Sequence, residues 1–147
     1  MPGFILHKQL EADSILVRDL ALSQLRLQNQ KAAPWLMLVP RRDNMKEIYE
    51  LDAGDRTVLM EEIAEVSHAL KQLYAPDKIN VAALGNMVPQ LHVHVIARFT
   101  QDAAWPHPVW GRLEPAPYQL GALAKVKARL NEFWNLKADQ QKSGTRL

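Results

Sequence analysis

Gln90-Leu91-His92-Val93-His94-Val95-Ile96 is the most regular alternation in this chain of 147 residues. Side chains along a strand point to opposite faces in turn. Gln90, His92 and His94 therefore share one face, and Leu91, Val93 and Val95 share the other. The apolar row predicts a core beneath a strand that runs from Gln90 to Phe99. On the polar row, neighbouring side chains sit about 6–7 Å apart, so one small anion can bridge two imidazoles. Imidazoles in that position can attack phosphorus, donate to phosphate oxygens or bind a metal. Three readings stay open on spacing alone. The pair is a feature of a half-exposed strand, half of a metal site, or the centre of a phosphate-directed catalyst. A metal site needs a third ligand, and His7, His68, His107 and Asp102 stand in no recognisable ligand spacing.

Outward from this strand, the chain reads as alternating short strands and two helices. Gly85-Asn86 predicts a turn before it, and Lys78 to Leu84 an earlier strand. Leu59, Ile63, Val66, Leu70 and Leu73 recur in steps of four and three, the spacing of one buried helical stripe. Asp52 and Asp55 read as its N-terminal cap and first-turn charge, and Pro76 as its stop. Further upstream, Trp35-Leu-Met-Leu-Val39 is an uninterrupted apolar run ended by Pro40, which predicts a strand covered on both faces. Ser14 to Asp19 and Leu25 to Leu27 read as extended pieces, with a polar turn over 28–31. Beyond the histidines lies the Pro-rich Trp105-Pro-His-Pro-Val-Trp-Gly111. A second amphipathic helix over 118–136 follows, with Leu123, Val126, Leu130 and Phe133 on one side. The polar residues from Lys137 onward read as a frayed tail. Strands grouped around a central helix argue for one α+β domain over 1–136 with a mainly antiparallel sheet.

Composition narrows the function classes. The 48% apolar content supports a real core. Eighteen Lys and Arg against sixteen Asp and Glu, dispersed along the chain, give no case for long nucleic acid as a partner. The absence of cysteine excludes disulfides and thiolate metal sites and fits a cytoplasmic protein. No apolar stretch is long enough for a signal-peptide core or a membrane span, so a membrane partner is not expected.

The residues from Gln90 to Ile96 resemble the motif of the histidine triad (HIT) family, in which three histidines alternate with apolar residues. The likeness extends to Gly85-Asn86, to Asn29 in the turn after the second strand, to Pro34 through Arg42, and to Trp105-Pro106. It implies a HIT-like fold: a mainly antiparallel five-stranded sheet with a long central helix and a C-terminal helix. It implies a homodimer whose motif strands lie near the subunit interface. His92 falls on the family's attacking histidine, which carries a nucleotidyl group from the α-phosphate, and His94 on the histidine that bonds phosphate and leaving-group oxygens. Asn29, Gly85 and Asn86 fall on positions near ribose and phosphate. The partner implied is a small nucleotide. No cofactor is required by that chemistry, and Mg²⁺ would enter only with the substrate. Gln90 stands where the family has its first histidine, which assigns its amide to phosphate contact. Trp35 stands where many members have a histidine that orients the nucleophile from behind, and Met87 where a hydroxyl residue often touches phosphate. A nucleotide-binding module with little turnover and a metal-dependent hydrolase using His92 and His94 are the alternative functions.

Overall fold

The computed structural model describes residues 3–144. A short helix α1 (Lys8–Asp13) leads into the antiparallel strands β1 (Ser14–Asp19), β2 (Ser23–Gln28) and β3 (Trp35–Pro40). The long helix α2 (Ala53–Tyr74) follows, then β4 (Lys78–Ala82), β5 (Val93–Arg98) and the helix α3 (Ala122–Gly144). The five strands form one sheet in the order β1-β2-β3-β5-β4, with antiparallel pairing throughout. This is the α+β architecture expected of a HIT-like fold.

The apolar run at Trp35 becomes the middle strand, and all six of its residues are buried. Leu36 and Leu38 enter the larger core with Val93, Val95 and Ala97 of β5, beneath Leu59, Val66 and Leu70 of α2. Trp35, Met37, Val39 and Ile96 face the other way. That second face is covered by Leu6 and Leu10 from the N-terminal segment and by Ala104, Val109 and Trp110 from the long loop after β5. Cover on both faces is why the strand can be continuously apolar.

α2 starts and stops where its sequence predicts. The Asp52 side chain accepts the Asp55 N–H at 2.7 Å, and Ala75 adopts the left-handed conformation (φ 48°) just before Pro76. α3 departs from expectation at both ends. Pro115, Pro117 and Gly121 (φ +90°) delay its start to Ala122. The stretch expected to fray is instead helical to Gly144; buried Trp134 and the bonds from Trp134 Nε1 and Lys137 Nζ to the Glu65 carboxylate of α2 anchor the helix as far as Lys137. α1 carries no predictive periodicity, since Leu10 is its one buried residue.

Among the described residues, no helix is long and apolar enough to cross a membrane.

Candidate active site

β5 begins at Val93, so the expected strand is shorter at its N-terminal end, and His92 lies on the loop that feeds it. The alternation survives this shift. Leu91, Val93 and Val95 enter the core, while His92 and His94 stay on the opposite face with ring centroids 4.9 Å apart. Both rings are nearly covered, at 7% and 6% exposure.

Each imidazole is held in a defined tautomer by one hydrogen bond. His92 Nδ1 lies 2.7 Å from the main-chain carbonyl oxygen of Gln90. A carbonyl only accepts, so Nδ1 carries the hydrogen and Nε2 keeps its lone pair. In His94 the arrangement is reversed. The Trp35 indole N–H donates to His94 Nδ1 at 2.9 Å. An indole only donates, so Nδ1 accepts and the hydrogen of neutral His94 sits on Nε2. Two adjacent rings thus present opposite characters, one a nucleophile and the other a donor.

The sheet register explains how Trp35 reaches His94. Trp35 pairs with Ile96 across the β3–β5 ladder, which makes His94 its diagonal neighbour, within span of a large aromatic side chain. Trp110 closes the other side, edge-on to both His94 (5.0 Å) and Trp35 (5.5 Å). The loop that carries Trp110 is tied at its head by the buried Arg98–Asp102 pair (2.8 Å), whose carboxylate also accepts the N–H groups of Phe99, Ala104 and Trp105. Burial, and secondarily the neighbouring His92, lower the His94 pKa to about 4. The resemblance implies a group behind the nucleophile at Trp35; the Trp35 bond instead goes to His94, because the diagonal of the ladder leads there.

A cleft of about 230 Å³ opens at His92, lined by Lys46, Glu47, Ile48, Tyr49, Ala83, Leu84, Gly85, Gln90 and Leu91. Lys46 brings a positive charge to it and Glu47 a negative one, and neither was singled out in the sequence. Both arrive because Leu91 N–H donates to the Met45 carbonyl (2.9 Å), drawing the 41–51 loop against the histidine loop. A larger cavity of about 720 Å³ lies between α2 and α3, but its lining holds neither His92 nor His94.

Of the six expected site residues, Gly85, Gln90 and His92 line this cleft and His94 adjoins His92. Asn29 does not line it. Its side-chain oxygen accepts the Tyr118 N–H at 2.8 Å, tying the β2–β3 turn to the segment before α3. Asn86 does not line it either, since the Gly85 turn (φ +80°) leaves Asn86 exposed. Met87 projects into solvent at 92% exposure. Gln90 has further partners away from the cleft. Its side-chain Oε1 accepts the His7 N–H (2.8 Å) and its Nε2 donates to the Ile5 carbonyl (2.9 Å), so the side chain clasps the N-terminal segment. One amide hydrogen remains for any other partner.

The remaining candidates resolve into structural roles. Arg41 pairs with Asp19 and Arg42 with Asp55. His7 caps α1, and His68 contacts Gln72 and Phe133. Among the described residues, no group of three or more His, Asp or Glu side chains could hold a metal ion.

Comparison with known proteins agrees with this fold. No curated protein matches the chain by sequence. Among solved structures, the chain is similar to a histidine triad protein from Bradyrhizobium japonicum, with 46% identity, TM-score 0.86, and 89% of this chain and 98% of that one covered. One from Sinorhizobium meliloti 1021 gives 44% identity and TM-score 0.87, covering 90% and 98% of the two chains. One from Marinobacter aquaeolei VT8 gives 45% identity and TM-score 0.86, covering 88% and 95%. The family model for the HIT domain matches residues 9–101, and the chain belongs to the histidine triad family of nucleotide-binding hydrolases and transferases.

Proposed function

We propose that the protein is a nucleotide hydrolase or nucleotidyl transferase that acts at the α-phosphate of a nucleoside phosphate derivative through a nucleotidyl group on His92. The observation that carries this reading is the tautomer of His92. Its Nδ1–H is engaged by the Gln90 carbonyl at 2.7 Å, which leaves the Nε2 lone pair as the reactive position. His94 supplies an N–H to the oxygens on which charge develops. Lys46 and the backbone at Gly85 line the same cleft, where they oppose a phosphate. Attack forms an Nε2–P bond and expels the leaving group; water then cleaves that bond, so one difficult displacement becomes two easier ones.

The cleft, at about 230 Å³, is smaller than the roughly 300–1,000 Å³ of typical ligand pockets. It suits the reacting phosphate and leaves the nucleoside to lie against the surface beyond. A homodimer belongs to the same proposal. β4 is an outer strand beside β5, and Val81 and Leu84 near its end are each 47% exposed, a surface suited to a second copy.

The test is incubation with nucleoside phosphoramidates and dinucleoside polyphosphates. Release of mononucleotide from at least one of the two substrate classes and a nucleotidyl adduct on His92, detected by mass spectrometry, are expected. Nucleotide affinity without any cleavage would establish a binding module instead. Chelator-sensitive cleavage without an adduct would establish the metal-dependent route.

A further inference from the structure

The Trp35–His94 bond bears on which leaving groups the site can release, an inference that rests on the α-phosphate reading above. We propose that Trp35 locks His94 as a neutral hydrogen-bond donor, so that the site discharges leaving groups that depart as stable anions and not amines that need a full proton.

The argument is geometric. To act as a general acid, His94 must first become an imidazolium with hydrogens on both nitrogens. Its Nδ1 faces the Trp35 N–H at 2.9 Å, so a second hydrogen there would set donor against donor. The surroundings offer the cation no relief. β3 contributes Trp35 and Met37, β4 contributes Ala82, the loop after β5 contributes Trp110, and His92 is the one titratable side chain among these neighbours. None of them is an anion. Burial opposes the charge further, and the lowered basicity of His94 agrees with the geometry. Neutral His94 can share its Nε2 hydrogen in a bond but not surrender it.

The chemistry follows with atoms and charges balanced. The His92 Nε2 lone pair forms a bond to the α-phosphorus, and the P–O bond to the leaving group breaks with its electron pair on that oxygen. His94 keeps its proton throughout and bonds the departing anion. Water then attacks phosphorus and the P–N pair returns to Nε2. One proton of the water stays on the product phosphate and the other passes to solvent. Phosphate, pyrophosphate, sulfate and acidic phenols are leaving groups of this kind. An alkylamine is not.

The experiment uses the full chain and two probe series: aryl esters of adenosine and guanosine 5′-monophosphate with phenols of graded acidity, and the matching 5′-phosphoramidates of a primary alkylamine. The parent protein should slow by roughly tenfold for each unit rise in phenol pKa, and should cleave the alkylamidates far more slowly than the most acidic aryl ester. Trp35→Phe frees Nδ1, so at pH 6 the amidate-to-ester rate ratio should rise by about tenfold or more and the phenol dependence should flatten. A merely structural role for Trp35 would lower both rates together and leave the ratio unchanged, overturning the proposal. Nitrogen-15 NMR of the parent protein reads the lock without any substrate. His94 should hold the Nε2–H tautomer from pH 8 down to pH 5, and an Nδ1–H tautomer or an imidazolium at pH 6 would overturn the proposal even if Trp35→Phe fails to fold. Efficient cleavage of esters and amidates alike refutes the leaving-group assignment alone, whereas a parent protein that cleaves neither series takes the hydrolase reading down with it.

Discussion

His92 and His94 are chemically the same residue, yet their two hydrogen bonds make them opposites. That difference sets the expected order of damage. His92→Ala removes the attacking nitrogen and should lower the single-turnover rate by about 10³-fold or more, with nucleotide affinity and circular dichroism largely retained. His94→Ala removes a donor to developing charge and should cost about 10²-fold. Equal losses from the two variants would argue against their separate roles. His94 also couples the site to stability. Its pKa falls from 6.5 to about 4 in the folded chain, so above pH 6.5 both folded and unfolded chains hold it neutral. As pH drops from 6.5 toward 4, the unfolded chain takes up a proton that the folded one refuses. Stability should therefore fall on acidification through that window, by about 3 kcal/mol from this group when complete. Urea denaturation of the parent and His94→Gln between pH 7 and pH 4 checks it: the gap between their pH profiles should open in that range, and parallel profiles would contradict the assignment.

At the scale of elements, two tethers hold loops over the site. The Arg98 guanidinium grips Asp102 through Nε (2.8 Å) and a second nitrogen (3.0 Å), with Asn80 on its third (2.8 Å). Hydrogen bonding to Arg98 is the leading cause that lowers the Asp102 pKa to about 2. Asp102→Ala leaves Arg98 buried and without its counter-ion, and should destabilise the protein by about 3–5 kcal/mol in urea denaturation. It should also loosen the head of the loop after β5, with increased amide exchange over 99–105. The second tether is the Gln90 clasp on Ile5 and His7. Gln90→Ala removes two side-chain hydrogen bonds to backbone, a loss of about 1–2 kcal/mol. Faster exchange at His7 with little change over 93–98 is the expected signature. If Gln90→Ala instead spares the N-terminal segment and abolishes phosphate affinity, its side chain serves the ligand and not the clasp.

On the scale of the whole molecule, the sheet separates two tasks. One face, packed beneath α2 and α3, carries the larger apolar core; the other carries the histidines under a cover of loop and N-terminal segment. This leaves β4 as an unpaired edge close to the site. Light scattering at micromolar concentration should give twice the chain mass. Val81→Lys, which places charge on the exposed part of that edge, should shift the protein toward monomer without unfolding it. A monomeric parent protein would rule out the homodimer.

Much of this was legible in the order of residues alone. Period two at Gln90 to Ile96 and the repeat from Leu59 to Leu73 follow from strand and helix geometry, so the faces of β5 and α2 were readable without neighbours. The apolar run at Trp35 likewise announced a strand with both faces covered. What needed the tertiary structure was every feature that depends on a partner distant in sequence. α3 is anchored to α2 as far as Lys137 because Glu65, far upstream, receives Trp134 and Lys137. Asn29 belongs to Tyr118 and not to the cleft, and Lys46 enters the cleft through a bond between Leu91 and Met45. Gln90 and Trp35 were both legible as departures from a motif, but their partners were not. A side chain's residue type defines which hydrogen bonds it can make, and only the packing of strands, loops and termini decides which atoms come within 3 Å to make them.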